Sequence, residues 1–426
     1  MAFRYLLELG LLKFDVQSGE SMEPSIAYLA DGRLFLKLAG KEVREVESKF
    51  GNQVIARFQK NSEREAWKSQ GVWGSGGMGM PDMGQFQKAP TGPNIRFEHV
   101  CRGTVPGEIH YVLKMDQVVG VFRYVIEEDR EIRVLHRDSF WLEALDRHPQ
   151  EDLYAMSIQQ ETGTVRISTS EGQIRPINSV SGGFTKDQMP SWAKDNSKRL
   201  LFQSAQIGKD EAGYQIGVGP YSIELLDVDE GKVSTIREDE GYDFLSPKVD
   251  QDGWLYYIRR PWKINQASQP SALDFLKDVA LFPYRLCRTV VYFFNFVSMM
   301  FSGRPLANSM NFDVKPADRK HQFLSLWGQA LDTRKAINKK TNKFVRPLVP
   351  EDWELCRETF ADALASDSAE PSVKRETLVG NAMCFDIQDA GKVVYSDGTR
   401  VYYLDGGKSV ELVSGSLIQS VTVIDA

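Results

Sequence analysis

Asp-Gly and Gly-Gly pairs recur along this chain between runs of β-branched and aromatic residues: Asp31-Gly32, Asp252-Gly253, Asp397-Gly398 and Gly406-Gly407. Both central positions of a two-residue hairpin turn want φ > 0, which Gly adopts freely and Asp at modest cost. Each pair therefore predicts two antiparallel strands folded back on one another. Residues 153–177 and 221–236 carry the same alternation with Gly-containing turns. Sheets of three or four strands, repeated along 426 residues, predict an all-β array of propeller type. A ring hides its sheet edges by closing its last strand on its first. Residues 3–14 are the expected partner of residues 416–424.

The best-defined repeat runs from Pro190 through Trp192, Asp195 and Asn196 to Leu200-Leu201-Phe202, and then through residues 221–236 to the turn at Asp227, Asp229 and Gly231. Residues 246–260 repeat its first half, with Val249 where Trp192 stands, and residues 393–414 match its second half. This pattern resembles the blade repeat of TolB-like, WD-type β-propellers over residues 150–262 and 380–424, and more faintly before residue 150. The resemblance implies a β-propeller, six-bladed more readily than seven-bladed, in which Trp192 packs between blades. It implies no particular activity, because such blades serve as scaffolds, as sensors and as the non-catalytic half of some peptidases.

Charge divides the chain. Residues 261–350 hold fourteen Lys or Arg against five Asp and no Glu, a formal +9, in a protein whose net charge is −6. The other 336 residues therefore sit at −15. The basic segment also contains the most apolar run of the chain, residues 289–301. A first helix is expected from Pro270 and must end or kink at Pro283. A second, over residues 284–302, places Arg285 and Arg288 on one arc and Val290, Phe293, Phe294, Val297 and Phe301 on the other, with Arg304 just beyond it. A third, over residues 316–338, aligns Phe323, Leu326, Trp327 and Leu331, followed by Lys335, Lys339 and Lys340. Basic charge beside an apolar helix face suits an anionic bilayer surface, where each basic residue contributes about 1 kcal/mol. A simple transmembrane span is the weaker reading, since the run of 13 residues falls short of the roughly 20 required. A docking surface for another protein is the competing reading, and a structural lid the third.

Nothing in the sequence spells out a reaction. The five histidines make no metal-protease or deaminase motif, and His99 and Cys101 share a strand face without a third ligand. Cys101, Cys287, Cys356 and Cys384 form no CxxC pair, so neither a disulfide framework nor a zinc site is expected. The start of the chain has no continuous apolar run before a small-residue cleavage site, which argues against a secretory leader. Gly74, Gly76 and Gly79 match the dinucleotide fingerprint in spacing only, because no strand precedes them and Pro81 follows; residues 66–93 read as a Gly- and Met-rich loop. The Asp-rich turns at Asp227 and Asp250 resemble calcium loops but lack the later carboxylates.

The sequence therefore predicts propeller blades over residues 1–260, a basic helical insertion over 261–375, and a closing blade over 376–426. The expected role is a non-catalytic cytoplasmic scaffold without metal or cofactor, held by the insertion on the inner face of a membrane or on a protein complex. An adaptor subunit of an ATP-driven assembly and a propeller enzyme with a loop-built site are the alternatives. Nucleic acid is not an expected partner, because no reader motif accompanies the basic cluster.

Overall fold

The computed structural model describes residues 23–70, 93–263, 323–365 and 375–425, except for stretches of one to six residues inside those ranges. The described strands assemble into four-stranded antiparallel units. The first holds Ser25–Ala30, Arg33–Lys37 and Val43–Val46, with Ile418–Ile424 paired to Ser25–Ala30. The second holds Ile95–Arg102, Glu108–Met115, Val118–Val125 and Arg130–Asp138. The third, Trp141–Arg147, Leu153–Gln159, Val165–Glu171 and Asn178–Ser179, touches the fourth through the single parallel bridge Val165 to Lys186. The fourth holds Thr185–Trp192, Arg199–Lys209, Ser222–Asp227 and Lys232–Arg237, with Gln215–Val218 as an added strand. The fifth joins Tyr242–Val249 and Trp254–Pro261 to Glu354–Thr359 and Glu376–Val379. The sixth is Cys384–Asp389, Lys392–Ser396, Arg400–Asp405 and Lys408–Ser414.

One end strand from each unit lines a shared central cavity. Four-stranded antiparallel sheets set radially around a common channel define a β-propeller. The core lies between neighbouring sheets. Trp192 of the fourth unit is buried among Leu153, Ala155 and Ile167 of the third as well as Leu200 and Phe202 of its own, and His148 meets its ring edge-on at 5.2 Å. The expected packing of Trp192 between blades is present.

Turn chemistry explains the registers. Asp31 and Gly32 have φ of 51° and 72° between the paired Ala30 and Arg33, and Gly406 and Gly407 have 54° and 80° between Asp405 and Lys408. At Asp397-Gly398 only the glycine is left-handed, at φ 89°, because the Asp397 carboxylate accepts the Thr399 and Arg400 amides and closes a three-residue connection. Asp227 likewise accepts the amides of Asp229 and Glu230, and Asp250 those of Asp252 and Trp254. The two calcium-like stretches are turns.

Several boundaries differ from the sequence reading. The strand beside Ile418–Ile424 is Ser25–Ala30, whose side chains from Ile26 to Ala30 are buried; residues 3–14 lie outside the described residues. Lys49–Gln70 is a helix that takes in the first residues of the expected loop. Ser48 caps it, accepting the Gly51 amide at 3.0 Å, and Phe50 anchors it on Phe122. The basic excursion lies inside the fifth unit rather than between two units, since Trp254–Pro261 pairs directly with Glu354–Thr359. Glu376–Val379 completes that same unit and does not open the closing blade. Where a helix was expected over 316–338, Phe323–Leu326 and Gln329–Asp332 form a hairpin, and Ile337–Asn338 pairs with Lys343–Phe344. An apolar stripe over so few residues fits two short strands as well as a helix, and the strands are paired from Phe323 with Asp332 to Leu326 with Gln329.

Candidate functional site: the central channel

The cavity encloses about 690 Å³ at the ends where the inner strands of the second to fifth units finish. Its centre is a charge cluster around Asp386, which alternates with apolar Phe385 and Ile387 on the inner strand of the sixth unit. The carboxylate receives Lys248 Nζ at 2.8 Å on one oxygen. Its other oxygen receives Arg102 Nε at 3.2 Å, Thr422 Oγ1 at 3.0 Å and the Val423 amide at 2.8 Å. Three units and the closing strand are tied together through one side chain. Burial alone would raise this carboxyl; Arg102, Lys248 and Lys194 overcome that and hold it far below the usual carboxylate range.

Arg102 reaches further, to Asp425 at 3.4 Å and to the Ile387 carbonyl. Lys194 donates to that same carbonyl at 3.4 Å. Burial and then the Arg102 charge push the Lys194 ammonium down to about 8. Asp146 accepts the Trp192 amide at 2.9 Å across the junction of the third and fourth units, and burial raises its carboxyl. His99 accepts the Leu145 amide at 3.4 Å through Nδ1, and burial with Lys248 nearby lowers it to about 4, so it is neutral at pH 7. Cys101 and Cys384 also line the cavity, and burial pushes both thiols up, Cys384 to about 12; neither is a thiolate nucleophile. Among the described residues no group of three or more His, Cys, Asp or Glu is placed to hold a metal ion.

Two strained positions shape the wall. Met189 and Ser246, each followed by proline, adopt φ of 51° and 52° at bulges in the inner strands of the fourth and fifth units. Gln203 holds the Ser246 amide at 2.8 Å. The bulges bring Ser191 and Lys248 to the cavity wall.

The residues singled out in the sequence as partner contacts, Arg285, Arg288, Val290, Phe293, Phe294, Val297, Phe301, Arg304, Trp327, Lys335, Lys339 and Lys340, lie outside the described residues. The channel residues Arg102, Lys194, Lys248 and Asp386 went unnoticed. A signal existed for two of them: Lys194 and Lys248 are charged residues close behind Pro190 and Pro247 of the repeat, at the end of a strand expected to be buried.

No protein-family model and no curated protein matches the sequence. Among solved structures the chain is similar to TolB from Acinetobacter baumannii, with 10% identity and a TM-score of 0.47 over 94% of this chain and 66% of that one. The chain thus spans about two thirds of that TolB. A putative TolB from Agrobacterium tumefaciens shows 11% identity and a TM-score of 0.41 over 94% of this chain and 93% of that one. A nidogen/laminin complex shows 8% identity and a TM-score of 0.47 over 94% and 98%. The two TolB structures accord with the TolB-like repeat of the sequence; the likeness concerns fold alone.

Proposed function

We propose that this propeller is a non-catalytic, six-bladed interaction scaffold, and that its basic apolar insertion places it on an anionic surface, foremost the inner face of a membrane. The observation that carries this reading is how the insertion is attached. The second and third strands of the fifth unit pair without a break from Trp254 with Thr359 to Arg259 with Glu354, although about ninety residues separate them in sequence. Lys263 and Asp352, one at each edge of the excursion, meet at 3.7 Å. The sheet is complete without the intervening chain, as suits an appended docking element. Pairing of Tyr242 with Pro261 puts the root beside the beginning of the inner strand, whereas the cavity begins at Ser246 and lies toward its end. The scaffold thus offers two separate faces. No helix among the described residues is long and apolar enough to cross a membrane.

Flotation with liposomes tests the reading. Full-length protein should float with vesicles containing anionic lipid and much less with neutral ones. Binding should fall with salt as the Debye length shrinks to about 3 Å at 1 M. Exchanging Phe293, Phe294 and Phe301 for Ser should remove the salt-resistant remainder. Absence of flotation at low salt would overturn membrane placement and direct the search to acidic protein partners.

A further inference from the structure

We propose that the central channel is a binding site for a ligand carboxylate, seated between Lys194 and Lys248 beside the Asp386 cluster. This site is distinct from the insertion and stands or falls separately from it. Three cations, Arg102, Lys194 and Lys248, converge on the single carboxylate of Asp386. That carboxylate is saturated, with one donor on Oδ1 and three on Oδ2. Arg102 is also occupied, by Asp425 and the Ile387 carbonyl. Lys194 is the cation left under-compensated: among the described residues its ammonium meets only the Ile387 carbonyl, at 3.4 Å, which Arg102 shares. Its depressed proton affinity has the same origin, burial and the Arg102 charge. A partly buried ammonium facing a cavity of about 690 Å³ is a place where an anion replaces lost solvation.

The surrounding charges set the ligand class. Asp146, Asp250, Asp252, Asp389 and Asp425 also line the cavity and oppose a dianion. Lys194 and Lys248 are point charges, which hold a compact anion by charge rather than by bidentate geometry. One negative charge on a compact group, a carboxylate, fits both conditions. It comes either from a small organic acid or from the free C-terminus of a peptide, for which the cavity has room.

Calorimetric titration of the full chain distinguishes the outcomes. The probes are acetyl-tetra-alanine with a free C-terminus, the same peptide as its C-terminal amide, acetate, and inorganic phosphate. The free-acid peptide or acetate should bind, the amide about tenfold or more weakly than the acid, and Lys194→Met should lose about tenfold in affinity. Should Lys194→Met not melt cooperatively, Lys194→Gln serves in its place. Acetate binding as tightly as the peptide acid assigns the site to small acids; a peptide acid about tenfold tighter assigns it to chain termini. Equal affinity for acid and amide, unchanged affinity in the Lys194 variant, tighter binding of phosphate, or no binding of any probe at millimolar concentration overturns the proposal.

Discussion

The fifth and sixth units face each other across one hydrophobic cluster, yet they hold their strands together differently. In the sixth, every connection is short, and turn residues set the register: Gly391, Gly398, Gly406 and Gly407 all have positive φ. In the fifth, a long excursion separates the second and third strands, so no turn can align them. Buried charge and packing take over that task. Arg260 on the second strand is fully buried and stacks at 4.5 Å over Trp353, which leads into the third strand, while donating to Asp243 of the first at 2.7 Å. Arg237 of the fourth unit clasps Glu358 on the third strand through two nitrogens. Leu331, Ala336, Leu348 and Val349, at the returning end of the excursion, pack with Leu245, Tyr256 and Phe385. A β ladder therefore needs a turn only where nothing else fixes its register.

The inner-strand carboxylates of these units differ as well. Asp243 is paired with Arg260, yet its carboxyl is raised, because burial outweighs that charge. Around Asp386, Arg102, Lys248 and Lys194 together outweigh burial, and its carboxyl is lowered. Removing either buried carboxylate leaves its cations unpaired, so Asp243→Asn and Asp386→Asn should each cost about 3–5 kcal/mol in chemical denaturation. The pH response should separate them. Stability from Asp386 is present above its unfolded value of about 4 and is lost as pH falls below it, so Asp386→Asn should flatten the acid limb. Asp243 has the opposite sign, and Asp243→Asn should leave that limb intact. Replacing Asp243 and Arg260 together by Leu and Met should cost far less than Asp243→Asn alone; equal costs would show that the pair itself fixes the register.

Next in size comes the excursion. Excising residues 265–320 should leave cooperative melting nearly unchanged, whereas excising 265–350 removes four core side chains. Leu348→Ala alone should cost about 2–5 kcal/mol. Equal melting temperatures for the two excisions would show that the returning segment contributes nothing to the core.

Gly398→Val should cost about 1–3 kcal/mol by thermal melting. A Cβ there would lie 2.7 Å from Leu348 Cβ and 2.8 Å from Met383 Sδ, on a backbone with φ 89°. The smallest effect belongs to Gly407→Ala, whose φ of 80° is strained for alanine while nothing lies within 4 Å. About 1 kcal/mol is expected. A Gly398→Val variant no worse than Gly407→Ala would mean that the sixth unit does not lean on the returning segment.

The all-β class, the hairpins at Asp31-Gly32 and Gly406-Gly407, and the interblade role of Trp192 were legible in the sequence, because alternation and turn chemistry act over a few residues. The absence of catalytic or metal motifs gave the channel no signature that could be read locally. Ring closure through Ser25–Ala30 was not legible, since many exposed strands can pair and only complementary burial selects one. The hairpin at Phe323–Leu326 was misread because an apolar stripe of period 3.6 also occurs by chance over a few residues.

Composition and local pattern thus determined on their own that the chain makes strands, where it turns and where its positive charge gathers. Tertiary structure alone decided that Arg102, Lys194, Lys248 and Asp386, as far as 284 residues apart, share one cavity. The physical reason is the ring. Each inner strand contributes side chains to a common axis, so the chemistry of the channel is a sum over units and no single stretch of sequence contains it.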